Sequence, residues 1–242
     1  MTQYLKAGAT AVLCAVCCLP LEAADFSVTP VRIFMAARDR AVAITVVNEG
    51  DEEVVMQADL YTWRQKPGGE DDLALTEDLI LSPPIVKLAP RSRQIVRLAR
   101  LTAQPGTDQL TYRMIVREVP EAKAPSAELK LQIALAFSLP VFITPVGAKR
   151  QLACGLERVA PDTVNAVCEN KGNAYAQPVS FRLLSANDEQ IASRDTGGYI
   201  LPDIKRSFPI KSQGASIPAG KGKLRVTLDD GTVQSFDATL AN

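Results

Sequence analysis

Apolar and small or polar residues alternate without a break over residues 129–141. Leu129, Leu131, Ile133, Leu135, Phe137, Leu139 and Val141 are apolar, and Lys130, Gln132, Ala134, Ala136, Ser138 and Pro140 stand between them. A period of two places every apolar side chain of this run on one face of an extended strand. At about 3.3 Å per residue the strand would reach roughly 40 Å, longer than most. Alternation alone leaves open whether that face meets the protein's own core or another molecule. Pro140 removes one ladder donor, so it should mark an edge, a bulge or a kink.

The same period recurs over residues 26–34, 41–47, 54–63, 94–101 and 110–119, each bounded by Pro, Gly, Asn or Asp. This is an all-β pattern, and it predicts a sandwich of about seven strands with Trp63 in its core. After Thr144, Pro145, Val146 and Gly147 it restarts over 151–157, 164–168, 179–185, 223–228 and 233–240, which puts a domain boundary near 145–149. No stretch sustains a capped 3.6-residue period, so any helix is a short turn, as near 71–78. Residues 121–128 break both periods and predict a flexible loop, as does Pro67-Gly68-Gly69.

At the start, Lys6 precedes an apolar run over 7–21 and small residues at Ala23 and Ala24. That is a signal peptide, 1–24, cleaved after Ala24. The apolar run is shorter than the roughly 20 residues that span a bilayer. Cys14, Cys17 and Cys18 leave with it, and the mature chain keeps Cys154 and Cys168. Both lie seven residues from Pro161, so a hairpin turning there sets them face to face. In an exported protein such a pair reads as a structural disulfide, which for a loop of about 15 residues contributes roughly 3 kcal/mol. The mature chain has no Cys-x-x-Cys motif of a redox enzyme.

The 27 basic and 27 acidic residues balance, which gives no ground for nucleic acid as a partner. The chain contains no histidine, removing the usual Ser-His and Cys-His nucleophiles and the commonest metal ligand. Paired carboxylates occur at Asp71-Asp72 and Asp229-Asp230. Asp72 and its neighbour follow Gly-Gly-Glu and read as a solvated loop, while Asp229-Asp230-Gly231 supplies a tight hairpin turn. No nucleotide-binding loop is present. The expectation is no enzyme, no cofactor and no metal site.

Several segments in combination resemble the periplasmic chaperones of the chaperone-usher pathway: Thr29-Pro30-Val31-Arg32-Ile33-Phe34, Ser82-Pro83-Pro84 with Leu88-Ala89-Pro90 and Val96-Arg97-Leu98, the run Tyr112 to Pro120, and Leu131-Gln132-Ile133-Ala134-Leu135 before Phe142. The resemblance covers nearly all of the first domain; the second matches in length and strand character. It implies two immunoglobulin-like β-sandwich domains in an L-shaped arrangement, residues 25–146 and 147–242, in the periplasm. It also implies that the strand within 129–143 is donated to an incomplete pilin subunit, through Leu129, Leu131, Ile133, Leu135, Phe137 and Leu139, and that the subunit passes to an outer-membrane usher. An apolar row of that size favours self-association when free.

In the commoner form of this family an arginine in the first strand and a lysine in the last hold the subunit's terminal carboxylate. Arg32 matches the arginine, but Pro140 stands where the lysine would be. The run Leu139-Pro140-Val141-Phe142 resembles the archaic, or alternative, branch. Arg113 is the candidate replacement, because its strand should run antiparallel to 129–141 and bring it level with Pro140, and a guanidinium can hold a carboxylate through two parallel bonds. The alternatives are a secreted β-sandwich pilus subunit or adhesin, and a carbohydrate-active enzyme built on paired acids.

Overall fold

The structure, a computed structural model, describes residues 26–102, 106–120, 134–212, 214 and 216–240. The signal-peptide expectation for 1–24, the loop at 121–128 and Leu129, Leu131 and Ile133 lie outside these residues.

Seventeen strands and no helix occur among the described residues. The first set is β1 (Phe26–Thr29), β2 (Ile33–Ala36), β3 (Ala41–Asn48), β4 (Val54–Gln65), β5 (Asp71–Leu75), β6 (Leu79–Ser82), β7 (Ile85–Leu88), β8 (Arg93–Arg100), β9 (Leu110–Glu118) and β10 (Ala136–Thr144). They form two sheets, ordered β1-β3-β8-β6 and β2-β10-β9-β4-β5, with β7 beside the first half of β4. Inward residues of both sheets, including Ile33, Ile44, Met56, Leu98, Met114 and Val141, make one core. The expected single strand over 26–34 is divided. β1 pairs with β3 in one sheet and β2 runs parallel to β10 in the other, because Pro30, which cannot donate to a ladder, falls where the chain changes sheets.

The second set is β11 (Leu152–Ala160), β12 (Thr163–Asn170), β13 (Pro178–Ser185), β14 (Gln190–Arg194), β15 (Lys205–Lys211), β16 (Gly220–Leu228) and β17 (Val233–Leu240). They hydrogen-bond in the order β11-β12-β15-β14-β13-β16-β17, and β11 lies against β17, wrapping the sheet around a core that includes Val164, Phe181, Ile200, Phe208 and Leu224. Cys154 and Cys168 face each other across β11 and β12 and are disulfide-bonded. Gly231 takes φ 83° in the turn between β16 and β17, a conformation that costs glycine little.

Two local expectations are corrected. Residues 71–75 form strand β5, neither a helical turn nor a loop, because they pair antiparallel with Tyr61 to Gln65 at the end of β4. Trp63 is 1% exposed but lies outside the sandwich core. With Phe142 and Leu201 it forms a separate cluster, joined by Tyr175, Tyr199 and Ile204, where the outer face of the first domain meets the second.

Candidate functional site

Strand β10 divides its backbone groups between two sides. Glu118 N donates to Leu135 O at 3.0 Å, so Leu135 turns its carbonyl toward β9. At the other end Ala37 N donates to Thr144 O at 3.1 Å, on the β2 side. Since direction alternates along a strand, Ala136, Ser138 and Pro140 face away from β9. The β2 pairing covers only Val141 to Thr144. From Ala136 to Pro140, therefore, β10 has an edge with no paired strand among the described residues. The N–H that Pro140 lacks belongs to this edge, and the β9 ladder loses nothing.

Side chains alternate too. Leu135 and Phe137 are half-buried against the first domain's core, and Phe137 meets Phe26 edge to face at 4.9 Å. Leu139 is 5% exposed and belongs fully to that core.

Arg113 pairs with Pro140 across the β9 and β10 ladder, and Ile33 pairs with Val141 on the other side, which sets Arg32 level with Pro140. Arg32, just before β2, Pro140 in β10 and Arg113 in β9 thus stand in a row. Ile33 and Met114 point inward, so both arginines leave the opposite face. At about 4.8 Å per strand their backbones are roughly 10 Å apart, within the combined reach of two arginine side chains.

Each guanidinium is already held. Arg113 lies 3.7 Å above the Trp63 ring and 3.4 Å from Asp71, with only 12% of its side chain exposed. Burial lowers its pKa, with Asp71 and Tyr199 partly opposing, and its Nε has no hydrogen-bond partner. Arg32 donates through one nitrogen to Asp229 at 2.7 Å and Gln177 at 3.0 Å. Burial pushes its pKa down, but Tyr199 and Asp229 outweigh that and raise it. Asp229, whose side chain is 9% exposed, also accepts from the Tyr175 hydroxyl at 3.1 Å. Burial, then Asp229, push that phenol up to about 12.

Two buried glutamines tie the domains together. Gln65 accepts from Leu201 N at 3.0 Å and donates to Tyr199 O at 3.2 Å. Gln109 accepts from Tyr175 N at 2.9 Å. These contacts grip both strands of the bridge between Ala176 and Ile200. Between them Phe142 stacks on Tyr175 with centroids 4.1 Å apart, and Tyr199 stands edge-on to Trp63 at 5.1 Å. A cleft of about 360 Å³ opens beside this cluster, between Trp63, Asp71 and Arg113 of the first domain and Gly198, Tyr199 and Arg206 of the second. Gly69 takes φ 88° here, a conformation that favours glycine, and a Cβ would also displace the Arg206 side chain, standing 2.1 Å from its Cδ.

Sequence reasoning named Arg32 and Arg113 but missed what surrounds them. Asp229 was assigned to a turn and Asp71 to a loop, although Asp71 accepts from Trp63 Nε1 at 2.8 Å. Gln65, Gln109, Tyr175 and Tyr199 carry no motif; their roles arise from contacts between residues more than 60 positions apart.

The all-β architecture of two sandwich domains is the fold of the PapD-like chaperones. The chain belongs to that family: the model described as "Pili and flagellar-assembly chaperone, PapD N-terminal domain" matches residues 25–149. This is a family of chaperones, not of enzymes. The chaperone protein LpfB of Salmonella typhimurium is 23% identical over 230 residues, 93% of this chain and 90% of LpfB. An uncharacterised fimbrial chaperone of Escherichia coli K12, YbgP, is 27% identical over 124 residues, so that the match spans about half of each, 50% of this chain and 49% of YbgP. Among solved structures, the CsuC-CsuE chaperone-tip adhesion subunit pre-assembly complex, from archaic chaperone-usher Csu pili of Acinetobacter baumannii, aligns with a TM-score of 0.65 at 19% identity, covering 90% of this chain and 99% of that one.

Proposed function

We propose that this protein is a periplasmic chaperone that captures incomplete pilin subunits by donating β10 and its preceding residues, and delivers them to an outer-membrane usher. The observation that carries the proposal is the unpaired edge of β10 from Ala136 to Pro140. A strand edge with free N–H and C=O groups binds an added strand through main-chain bonds, while alternate side chains supply specificity. A partner strand laid there would extend the second sheet and bring apolar surface onto Leu135 and Phe137, which are only half-buried. Each such residue fully removed from water contributes about 1.5 to 3 kcal/mol before ordering costs, so a few suffice for tight capture without ATP. Leu129, Leu131 and Ile133 continue the same row in sequence. Left uncovered, the row favours self-association.

The anchor for the subunit's terminal carboxylate is Arg32 with Arg113. Pro140 supplies no charge, but an arginine stands on each side of it, and the Arg113 Nε lacks a partner. Loss of the lysine and the run Leu139 to Phe142 favour the archaic branch, and the fold likeness to CsuC is in keeping with it. The leader at 1–24 and the disulfide suit export to an oxidising compartment. The domains divide near 145–149, in the connection between β10 and β11.

The test is co-expression with the neighbouring secreted reading frames. A one-to-one complex with one of their products is expected; failure of every product to copurify would oppose the proposal.

A further inference from the structure

Tyr199 lies on the second domain, yet it faces the arginine row of the first. Its ring is fixed by Trp63 at 5.1 Å, Tyr175 at 5.5 Å and Phe142 at 5.8 Å. Its backbone is fixed as well. The carbonyl accepts from Arg206 Nη1 at 2.7 Å and from Gln65 Nε2 at 3.2 Å, and the next residue, Ile200, exchanges two hydrogen bonds with Ala176. A side chain held this way meets a ligand without reorganising.

The Tyr199 side chain lines the same cleft as Arg113. The Arg113 guanidinium is 5.5 Å from the ring centroid, and the charges of Arg32 and Arg113 both act on the phenol, opposing the effect of burial. Arginine has no acceptor, so it engages only the phenolic oxygen and leaves the proton free. No acceptor takes that proton among the described residues. Tyr175, one aromatic neighbour away, differs: its proton already goes to Asp229. A phenol is protonated at neutral pH, and burial raises the Tyr199 pKa further.

We propose that Tyr199 is the third group of the carboxylate anchor, donating its phenolic hydrogen to a carboxylate oxygen that Arg32 and Arg113 hold by charge. This rests on the anchor described above and extends it in one respect: the anchor is shared by both domains. A hydroxyl donating to an anion forms a short, strong hydrogen bond, and the two guanidiniums supply the charge that Pro140 does not. Because Gln65 grips the Tyr199 carbonyl, the anchor is assembled only while the domains keep their contact.

The test uses the full-length protein and two synthetic peptides of the last ten or so residues of the copurifying subunit, one ending in a free carboxylate and one in a carboxamide, with affinities measured by calorimetry. The wild type should prefer the carboxylate. Tyr199→Phe, which keeps the ring, should reduce that preference about ten-fold, as for one hydrogen bond to a charged group, while carboxamide affinity and melting temperature stay as they were. Tyr175→Phe should keep the full preference. If Tyr199→Phe retains it while Arg32→Ala loses it, Tyr199 has no part and the arginine anchor stands. If the wild type does not distinguish the two peptides, the anchor itself is wrong and Tyr199 falls with it.

Discussion

Arg113 stands directly opposite Pro140 on the neighbouring strand, and from that position its guanidinium lies flat on the Trp63 ring, 3.7 Å from the centroid. The pairing relates two departures from the commoner family pattern. Pro140 stands opposite Arg113 without weakening the β9 ladder, and in the proposed anchor the charge it cannot supply comes from the next strand. Arg113 is preorganised by its stacking, so little side-chain entropy remains to be lost on binding.

Both arginines should therefore matter for capture. Arg113→Ala and Arg32→Ala are each expected to weaken binding of the copurifying subunit at least ten-fold, and Arg113→Lys to restore only part, since lysine keeps the charge but not the planar fork. Affinity of the purified variants for the subunit checks this. Arg113→Ala with undiminished capture, beside an inactive Arg32→Ala, would remove Arg113 from the anchor.

Gln65 is 8% exposed, and its amide satisfies a backbone donor and a backbone acceptor of the other domain. Replacing it with Leu leaves Leu201 N buried and unpaired, a loss costing about 1–3 kcal/mol, while the Tyr199 carbonyl keeps its bond from Arg206. Gln65→Leu should lower the urea midpoint clearly, whereas Lys66→Leu next to it, exposed and paired only with Glu70, should change it little.

The disulfide links β11 to β12 within the sheet of the second domain. Closing a loop of this length is worth about 3 kcal/mol in the chain-entropy picture. The double variant Cys154→Ser with Cys168→Ser should melt several degrees lower in calorimetry, with strand content by circular dichroism unchanged below the transition.

At high pH the aromatic seam becomes a liability. Tyrosine ordinarily titrates near 10, and Tyr175 is pushed up to about 12 by burial and then by Asp229. Its folded pKa is raised, so its contribution is complete below about pH 10 and is lost as pH rises toward about 12. Stability followed by fluorescence should fall over that window, and the fall should be shallower in Tyr175→Phe. A curve identical to wild type would show that Tyr175 is not the group responsible.

The fold was largely legible because a two-residue period survives wherever one face is buried: β3, β4, β8, β9 and the described part of β10 lie within a residue or two of expectation. The Cys154 and Cys168 pair and the level of Arg113 with Pro140 followed from counting along antiparallel strands. What escaped notice has a common cause. β5 is exposed along its whole length, so no buried row marks it, and β15 carries Pro209, which reads as a break. Trp63, Gln65, Tyr175 and Tyr199 gather where two domains touch, and local pattern carries no information about a partner such as Tyr199, 134 residues from Gln65.

Hydrogen exchange at four adjacent residues tests strand donation most directly. In the free protein the Ala136 and Ser138 amides should exchange quickly, since they lie on the open edge, while those of Phe137 and Leu139, directed at β9, should be protected. In the purified one-to-one complex all four should be protected. Ala136 and Ser138 amides that still exchange as fast as in the free protein would contradict donation along this edge.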